Sequence, residues 1–345
     1  METKKKKKKG KNSIHDIAEA LHLSPATISR VLNNHPHVHE ATRTKVMTMI
    51  EEKGYKRNVM ASGLRTNKTH TIGLIVPRIS MFFHTEVITT IQNQLHAQGY
   101  NLIICQSNDQ LEMEKDLTRT LYASRVDGVI ASCTLFTTSF DHFDILSQNN
   151  IPVIFYDRVP MKPYPACIIK GDDFRGAYLA VSHLLELGAK RVAFINGPLS
   201  CNLYVDRYAG FEKAMIQHNV PVLKEYIFYQ ELNEENARKS LHALFNKPPY
   251  PDAIFAANDL TALAALQFAK EIGITVPKKL RIVGYSNDPR TSIASPSITT
   301  IDQFPGRTGK VIVRELLKLL KGTQQTMVDQ LPIITPVELI RRMST

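Results

Sequence analysis

From Thr71 onward the sequence alternates short apolar runs with helical stretches, and that alternation restricts the chain to a narrow set of folds. The runs are TIGLIVP, YNLIICQS, VDGVIASC and IPVIFYD, then RVAFING, YIFYQ, PDAIFAAND and RIVGYSND. Strands separated by helices in this way pair in parallel and need helices over the faces of the sheet. No short period repeats, which excludes a solenoid. In open sheets of this class, ligands sit beyond the carboxyl ends of the strands. Phe82 and Phe83 follow the first run, Asp157 and Arg158 follow the fourth, and Asn258 and Asp259 end DAIFAAND. Arg207, in VDRYAGF, opens a helix after a further strand. An arginine fork held by a carboxylate suits vicinal hydroxyls or a carboxylate, while a phenyl face suits a sugar ring or a base.

With 345 residues, 43% apolar and 22% charged, the chain can bury a sizeable core and divide into more than one domain. Its net charge of +11 is concentrated: residues 1–70 hold 15 Lys and Arg against 6 Asp and Glu, whereas the other 275 hold 28 against 26. A cationic N-terminal fifth on a near-neutral body points to a module for polyanions. The run Lys4–Lys9 reads as part of a solvated, disordered basic tail over residues 1–12, adding non-specific attraction to phosphates. Beyond it, Ser13 precedes Ile14, Ile17, Ala18 and Leu21 at helical spacing, with Asp16 in a capping-box position. Ser24 caps a second helix, Pro25 suits its first position, and Ile28, Val31 and Leu32 supply an inward face. Between the two lies a tight turn in which His22 falls where left-handed backbone is needed. A third segment, about 40–53, turns Val46, Met49 and Ile50 inward and stops at Gly54. Three short helices joined this way predict a helix-turn-helix unit whose second helix enters the DNA major groove. Pro25, Ala26, Ser29 and Arg30 are then the base-facing candidates, and Arg30 is the one able to contact guanine bidentately.

The stretches SIHDIAEALHLSPATISRVLNN, TRTKVMTMIEEKGY and NVMASGLRTNKTHTIGLIVP resemble the LacI/GalR family of bacterial transcription regulators, and the similarity covers nearly all of the chain after the lysine tail. The resemblance implies an all-α helix-turn-helix head (13–57), a hinge helix and linker (58–68), and an α/β two-lobed, periplasmic-binding-protein-like (type I) body (69–345). Lobe one is expected at about 69–167 and 298–345 and lobe two at about 168–297, with three crossings between them. DNA contacts are implied for Ser24, Pro25, Ala26, Thr27, Ser29, Arg30, Asn33, Arg57, Asn58, Ala61 and Leu64. In the family the hinge helix folds on DNA, pairs with its twin, and pushes a leucine into the minor groove, a position that Leu64 matches. A helix of about two turns containing Gly63 is unstable alone, so packing and DNA must supply its stability. An apolar wedge costs a few kcal/mol of unstacking, which the bent duplex offsets with further contacts. Where the family has proline before the hinge asparagine, this chain has Arg57, which removes a rigid turn and adds a phosphate contact. Pro25 and Ala26 have little hydrogen-bonding capacity, so site preference falls to Arg30, van der Waals contact and DNA deformability.

In the body, the resemblance assigns Arg207 and Asp259 as the effector-binding arginine and aspartate. It assigns Asp157 and Ser132 as first-lobe polar contacts, and Phe82 and Phe83 as the aromatic wall, with Asn258 beside Asp259. Sugars or their phosphates are the family's commonest effectors. The segment GYSNDP departs from the family pattern, with Ser286 and Asn287 in place of acids, which weakens any carry-over of ligand identity. The implied protein is a cytoplasmic homodimeric repressor of operator DNA controlled by a small effector, a sugar or sugar derivative, without a metal or other cofactor.

The rival readings are an enzyme and a soluble solute-binding protein. No GxSxG, GxGxxG after a strand, Walker lysine in context or HExxH is present, which argues against an enzyme. His35, His37 and His39 lack a fourth ligand at familiar spacing and read as exposed loop histidines. The basic helical head, and a lysine run with no apolar segment behind it to make a secretory signal, count against a solute-binding protein. No run of about 18 apolar residues is present to span a bilayer. Cys105, Cys133, Cys167 and Cys201 are widely spaced without a CxxC and read as reduced thiols, mostly buried. No heptad zipper follows the LPIITPVELIRRMST tail, so a dimer is expected rather than a tetramer.

Overall fold

The computed structural model describes residues 13–32, 34–55, 68–322 and 331–345. It divides into two compact units, with the boundary between Thr69 and His70.

In the first unit, α1 (Ile14–Ala20) starts from a complete capping box. The Ser13 hydroxyl accepts from the Asp16 amide at 3.3 Å, and the Asp16 carboxylate accepts from the Ser13 amide at 2.6 Å. His22 takes φ 51° in the turn, and Ser24 caps α2 (Pro25–Leu32) by accepting from the Thr27 amide at 3.1 Å. The third helix, α3 (Glu40–Glu52), is followed by Gly54 at φ 58°. Ile17, Ala18, Ile28, Val31 and Val46 form the buried core, with Leu21, Leu32, Met49 and Ile50 packed around it. Each buried Ile or Val contributes roughly 1.5–3 kcal/mol, so a core this small leaves the caps a large share of the unit's stability.

The second unit begins β1 (Thr71–Val76), α4 (Phe82–Ala97), β2 (Asn101–Gln106), α5 (Leu111–Ala123), β3 (Gly128–Ala131), α6 (Asp144–Ser147), β4 (Val153–Tyr156) and β5 (Cys167–Gly171). It continues with α7 (Asp173–Glu186), β6 (Val192–Asn196), α8 (Asn202–Gln217), β7 (Ile227–Tyr229), α9 (Glu234–Leu244), β8 (Ala253–Ala256) and α10 (Asp259–Glu271). The last elements are β9 (Arg281–Val283), α11 (Pro289–Ile293), β10 (Thr300–Asp302), α12 (Pro305–Leu320), β11 (Ile333–Thr335) and β12 (Glu338–Ile340). One sheet runs β11, β5, β4, β3, β1, β2 and a second runs β7, β6, β8, β9, with every neighbouring pair parallel. β10 and β12 form a separate antiparallel ribbon. The central strands β3, β4, β6 and β8 are buried along their whole length, as sheets covered on both faces require.

Helices α4 and α12 cover one face of the first sheet, packing Val87, Ile91, Ile312 and Leu316 on β1 and β3. In the second lobe, α7 and α8 cover one face, and α9 and α10 the other. Gly210 allows the first of these pairs to close, because a Cβ there meets the Phe174 carbonyl oxygen at 2.1 Å. All four cysteines are free thiols; Cys133, Cys167 and Cys201 are buried and Cys105 is half-buried.

Two lobe boundaries differ from the sequence expectation. β5 pairs with β4 in the register Ile154 to Cys167, so residues 168–171 belong to the first lobe's sheet. An open edge of β4 with unpaired amides and carbonyls recruits the next extended segment, however short. The stretch 298–345 is split as well. Thr299 bridges Val283, β12 pairs with β10, and the Ser344 carbonyl accepts from the Ile282 amide at 3.0 Å. Residues 298–302 and 337–345 therefore pack on the second lobe, while α12 and β11 return to the first. The chain crosses between lobes after Gly171, between Asp302 and Pro305, and between Thr335 and Glu338.

Candidate functional site

On the head, Pro25, Ala26 and Arg30 of α2 are exposed and Ser29 is half-buried. Pro25 with Ser29, and Ala26 with Arg30, are four residues apart and share one face. The Ser24 and Thr27 hydroxyls lie 2.9 Å apart and are engaged with each other at the cap. Arg43 donates to the Asn34 side chain at 2.6 Å and to the His35 carbonyl at 3.0 Å, fixing the loop after α2. His35, His37 and His39 are exposed there, and no metal-binding group occurs among the described residues. Asn33, Arg57, Asn58, Ala61 and Leu64 lie outside the described residues.

In the body, a cavity of about 350 Å³ opens at the carboxyl ends of both sheets. Phe82, Phe83 and Arg78 line it from the first lobe, and Tyr204, Asn258 and Asp259 from the second. A smaller cavity of about 30 Å³, lined by Phe83, His84, Asp157, Tyr204 and Arg207, lies alongside and shares four of its lining residues with the larger one besides Asn258 and Ser286. Ser132 lines neither and is fully buried.

Arg207 is fixed rather than free. Its Nε donates to Asp173 at 2.9 Å, its Nη2 lies 2.8 Å from the same carboxylate, and its Nη1 donates to the Ala257 carbonyl. The guanidinium stacks 3.6 Å from the Tyr285 ring centroid. Burial opposes its charge, and Asp173 more than restores it. Asp259 accepts from the Thr300 hydroxyl and the Asp288 amide, both at 2.7 Å, yet burial still pushes its carboxyl up to about 6. Asn258 caps α10 by accepting from the Thr261 amide at 2.9 Å and donates to the Leu232 carbonyl at 3.1 Å. Asp157 stands immediately after β4 at φ 61°, and its carbonyl accepts from Asn202 of the second lobe at 3.0 Å. Burial pushes its carboxyl up to about 6; Arg158 and Arg207 draw it down, and Asp173 works with the burial.

Several residues that shape the cleft carried no strong signal in the sequence. Asp173, the carboxylate that holds Arg207, follows β5, a strand outside the eight apolar runs. Arg78 donates to Glu231 across the lobes at 2.9 Å and pairs with Asp109, which also binds Arg158. Their link is a matter of tertiary distance, since Arg78 and Glu231 are 153 residues apart. Among the described residues no helix is long and apolar enough to cross a membrane.

Comparison with known proteins agrees with this architecture. Residues 13–58 match the family described as bacterial regulatory proteins, lacI family, and residues 181–345 match the periplasmic binding protein-like domain. The HTH-type transcriptional repressor PurR of Actinobacillus pleuropneumoniae serotype 3 (strain JL03) is 32% identical over 309 residues, 90% of this chain and 91% of the relative. Among solved structures, the lac repressor dimer bound to operator and the anti-inducer ONPF superposes with TM-score 0.86 at 26% identity, covering 97% of this chain and 99% of that one. A periplasmic binding protein/LacI transcriptional regulator from Alkaliphilus metalliredigens QYMF, complexed with D-xylulofuranose, covers 80% of this chain and 99% of its own at 27% identity, with TM-score 0.68. A helix-turn-helix head, a two-lobed body with a ligand-sized cleft, and identity of this extent over most of the chain make the protein a member of the LacI family of bacterial regulatory proteins, a DNA-binding transcription regulator controlled by a small molecule.

Proposed function

We propose that the protein represses transcription as a homodimer, and that a sugar or sugar derivative held between its lobes sets its affinity for operator DNA. The observation that carries this reading is the cleft itself. It lies where open parallel sheets bind ligands, has a volume of about 350 Å³, and sets the Phe82 and Phe83 rings against the buried Asp259 carboxylate, with Asp157 and the clamped Arg207 lining the smaller cavity alongside. Phe83 packs against a ring face of the ligand, Arg207 and Asp259 define the second-lobe wall, and Asp157 reaches from the first. On the head, Arg30 reads a guanine, while Pro25, Ala26 and Ser29 approach the neighbouring base edges. Two heads placed by a dimer engage two half-sites one or more helical turns apart. The ligand named with one solved relative, D-xylulofuranose, supports the sugar class.

A thermal-shift screen of the full-length protein tests the reading. At a free concentration one hundred times its dissociation constant, a ligand of the folded body stabilises it by about 2.7 kcal/mol. The same compound is expected to change the retention of fragments of the source genome relative to random duplex. A protein that prefers no genomic fragment, with or without any compound, would falsify the regulator reading of this site.

A further inference from the structure

His84 occupies the first turn of α4 and is wholly buried against the cleft. Edge-on contacts with Phe83 and Tyr156, at centroid distances of 5.6 and 5.8 Å, fix the plane of its ring. Its Nδ1 lies 3.1 Å from the Tyr156 hydroxyl, which is itself fully buried. Its Nε2 has no hydrogen-bond partner. The Asp157 carboxylate lies 3.7 Å away, beyond hydrogen-bond reach, and both groups line the cavity of about 30 Å³.

The chemistry of the ring follows from these contacts. Burial first, then Arg158, pushes the imidazole pKa down to about 3, so the ring is neutral with one N–H and one bare nitrogen. The buried tyrosine proton needs an acceptor, and Nδ1 is the atom placed to take it. The ring proton is therefore on Nε2, aimed at the cleft beside a carboxylate. A buried donor left unsatisfied carries a cost of about 1–3 kcal/mol relative to one that is paired. A space of this size admits a water-sized oxygen, and it lies beside the larger cavity, with which it shares Met81, Phe83, Arg158 and Tyr204.

We propose that His84 and Asp157 form a donor and acceptor pair that reads a single hydroxyl of a neutral polyol, the Nε2–H donating to the hydroxyl oxygen and the Asp157 carboxylate accepting its proton. This rests on the effector reading of the cleft and narrows the ligand class. A phosphate or carboxylate oxygen has no proton to offer at neutral pH and faces the Asp157 charge. Arg207 does not rescue such an anion, because its guanidinium is engaged with Asp173 and Ala257. A planar base divides its donors and acceptors among separate edge atoms and has no single hydroxyl to set between the two groups. His84 is thus a specificity-determining residue that the sequence presents only as one more residue of a helix.

The test is a thermal-shift and calorimetric panel on the full-length protein with D-glucose, D-ribose, D-xylulose and cellobiose, phosphate esters of the first three, and hypoxanthine and guanine. Two variants separate the nitrogens: His84→Asn keeps a partner for Tyr156 and loses the cleft donor, while His84→Gln keeps a donor near the Nε2 position. A neutral sugar is expected to bind, to lose about tenfold or more in affinity in His84→Asn, and to regain part of it in His84→Gln. In wild type, the analogue lacking the recognised hydroxyl should lose a similar factor, with little further loss in His84→Asn, and the wild-type comparison holds even if a variant folds poorly. A sugar bound equally by wild type and His84→Asn, or tightest binding by a phosphate ester or a base, overturns the inference while leaving the effector site standing. A panel in which nothing binds wild type removes the effector reading and the inference with it.

Discussion

Asp157 joins a left-handed backbone, φ 61°, to a carboxyl raised to about 6 by burial, and the two properties make one substitution informative. Asparagine accepts that backbone and cannot ionise. An unfolded aspartate titrates near 3.8, so the cost of holding Asp157 ionised is complete above about pH 6 and fades as the pH falls toward 4. Asp157→Asn should therefore stabilise the ligand-free protein by roughly 1–3 kcal/mol at about pH 7.5 and by almost nothing near pH 4. Denaturant titrations at the two pH values measure this; an equal gain at both rejects ionisation as the cause. Arg207 gives the opposite sign. Removing it in Arg207→Met leaves Asp173 buried without its partner, at a cost of about 3–5 kcal/mol, and Asp173→Asn in the same chain should recover part of that loss. On the head, Arg30→Ala should cost about 1–3 kcal/mol at one base pair and relax preference there, as binding to single-substitution operators reports. The cleft residues legible in the sequence were those at strand ends, where Phe82, Phe83, Asp157 and Asp259 stand. Asp173 and His84 were not, because a carboxylate after an unrecognised strand and a histidine inside a helix acquire meaning only from what the fold sets beside them.

Elements were readable where a local rule acts alone. Ser13 with Asp16, Ser24 with Pro25, and Gly54 mark helix ends by backbone chemistry that needs no tertiary partner; the structure has a capping box at Ser13, a side-chain cap at Ser24 and a positive φ at Gly54. Ser13→Ala should cost the head about 1 kcal/mol, seen as faster amide exchange through α1 with α8 unchanged. The eight apolar runs read as strands all pair in sheets. Missed were β5, β10, β11 and β12, each three to five residues long and none of them buried along its whole length. CIIKG and ELI are extended because a neighbouring edge lacks partners, which is information held by the sheet and not by the segment. The misplaced lobe boundaries at 167 and 298 come from the same cause.

At the scale of the whole molecule, charge is divided between a cationic first fifth and a near-neutral remainder, and each part has its own observable. Deleting Lys4–Lys9 should lower the slope of log affinity against log salt by up to about five, leaving the ratio of specific to non-specific binding nearly unchanged. Effector and operator share one equilibrium, so the factor by which operator DNA changes effector affinity must equal the factor by which effector changes operator affinity, typically 5–150-fold. Calorimetry of each ligand with and without the other checks the equality, and unequal factors reject the two-state description. The last crossing of the chain has a genetic corollary. Arg342 donates to Asn287 at 2.6 Å, and Asn287 follows Ser286, which is held at φ 120° on the cavity wall. A stop codon that removes only the final four amino acids therefore unpins that wall, and in a reporter strain it should score among the lesions that deafen the switch to its inducer or corepressor rather than among those that loosen its grip on DNA.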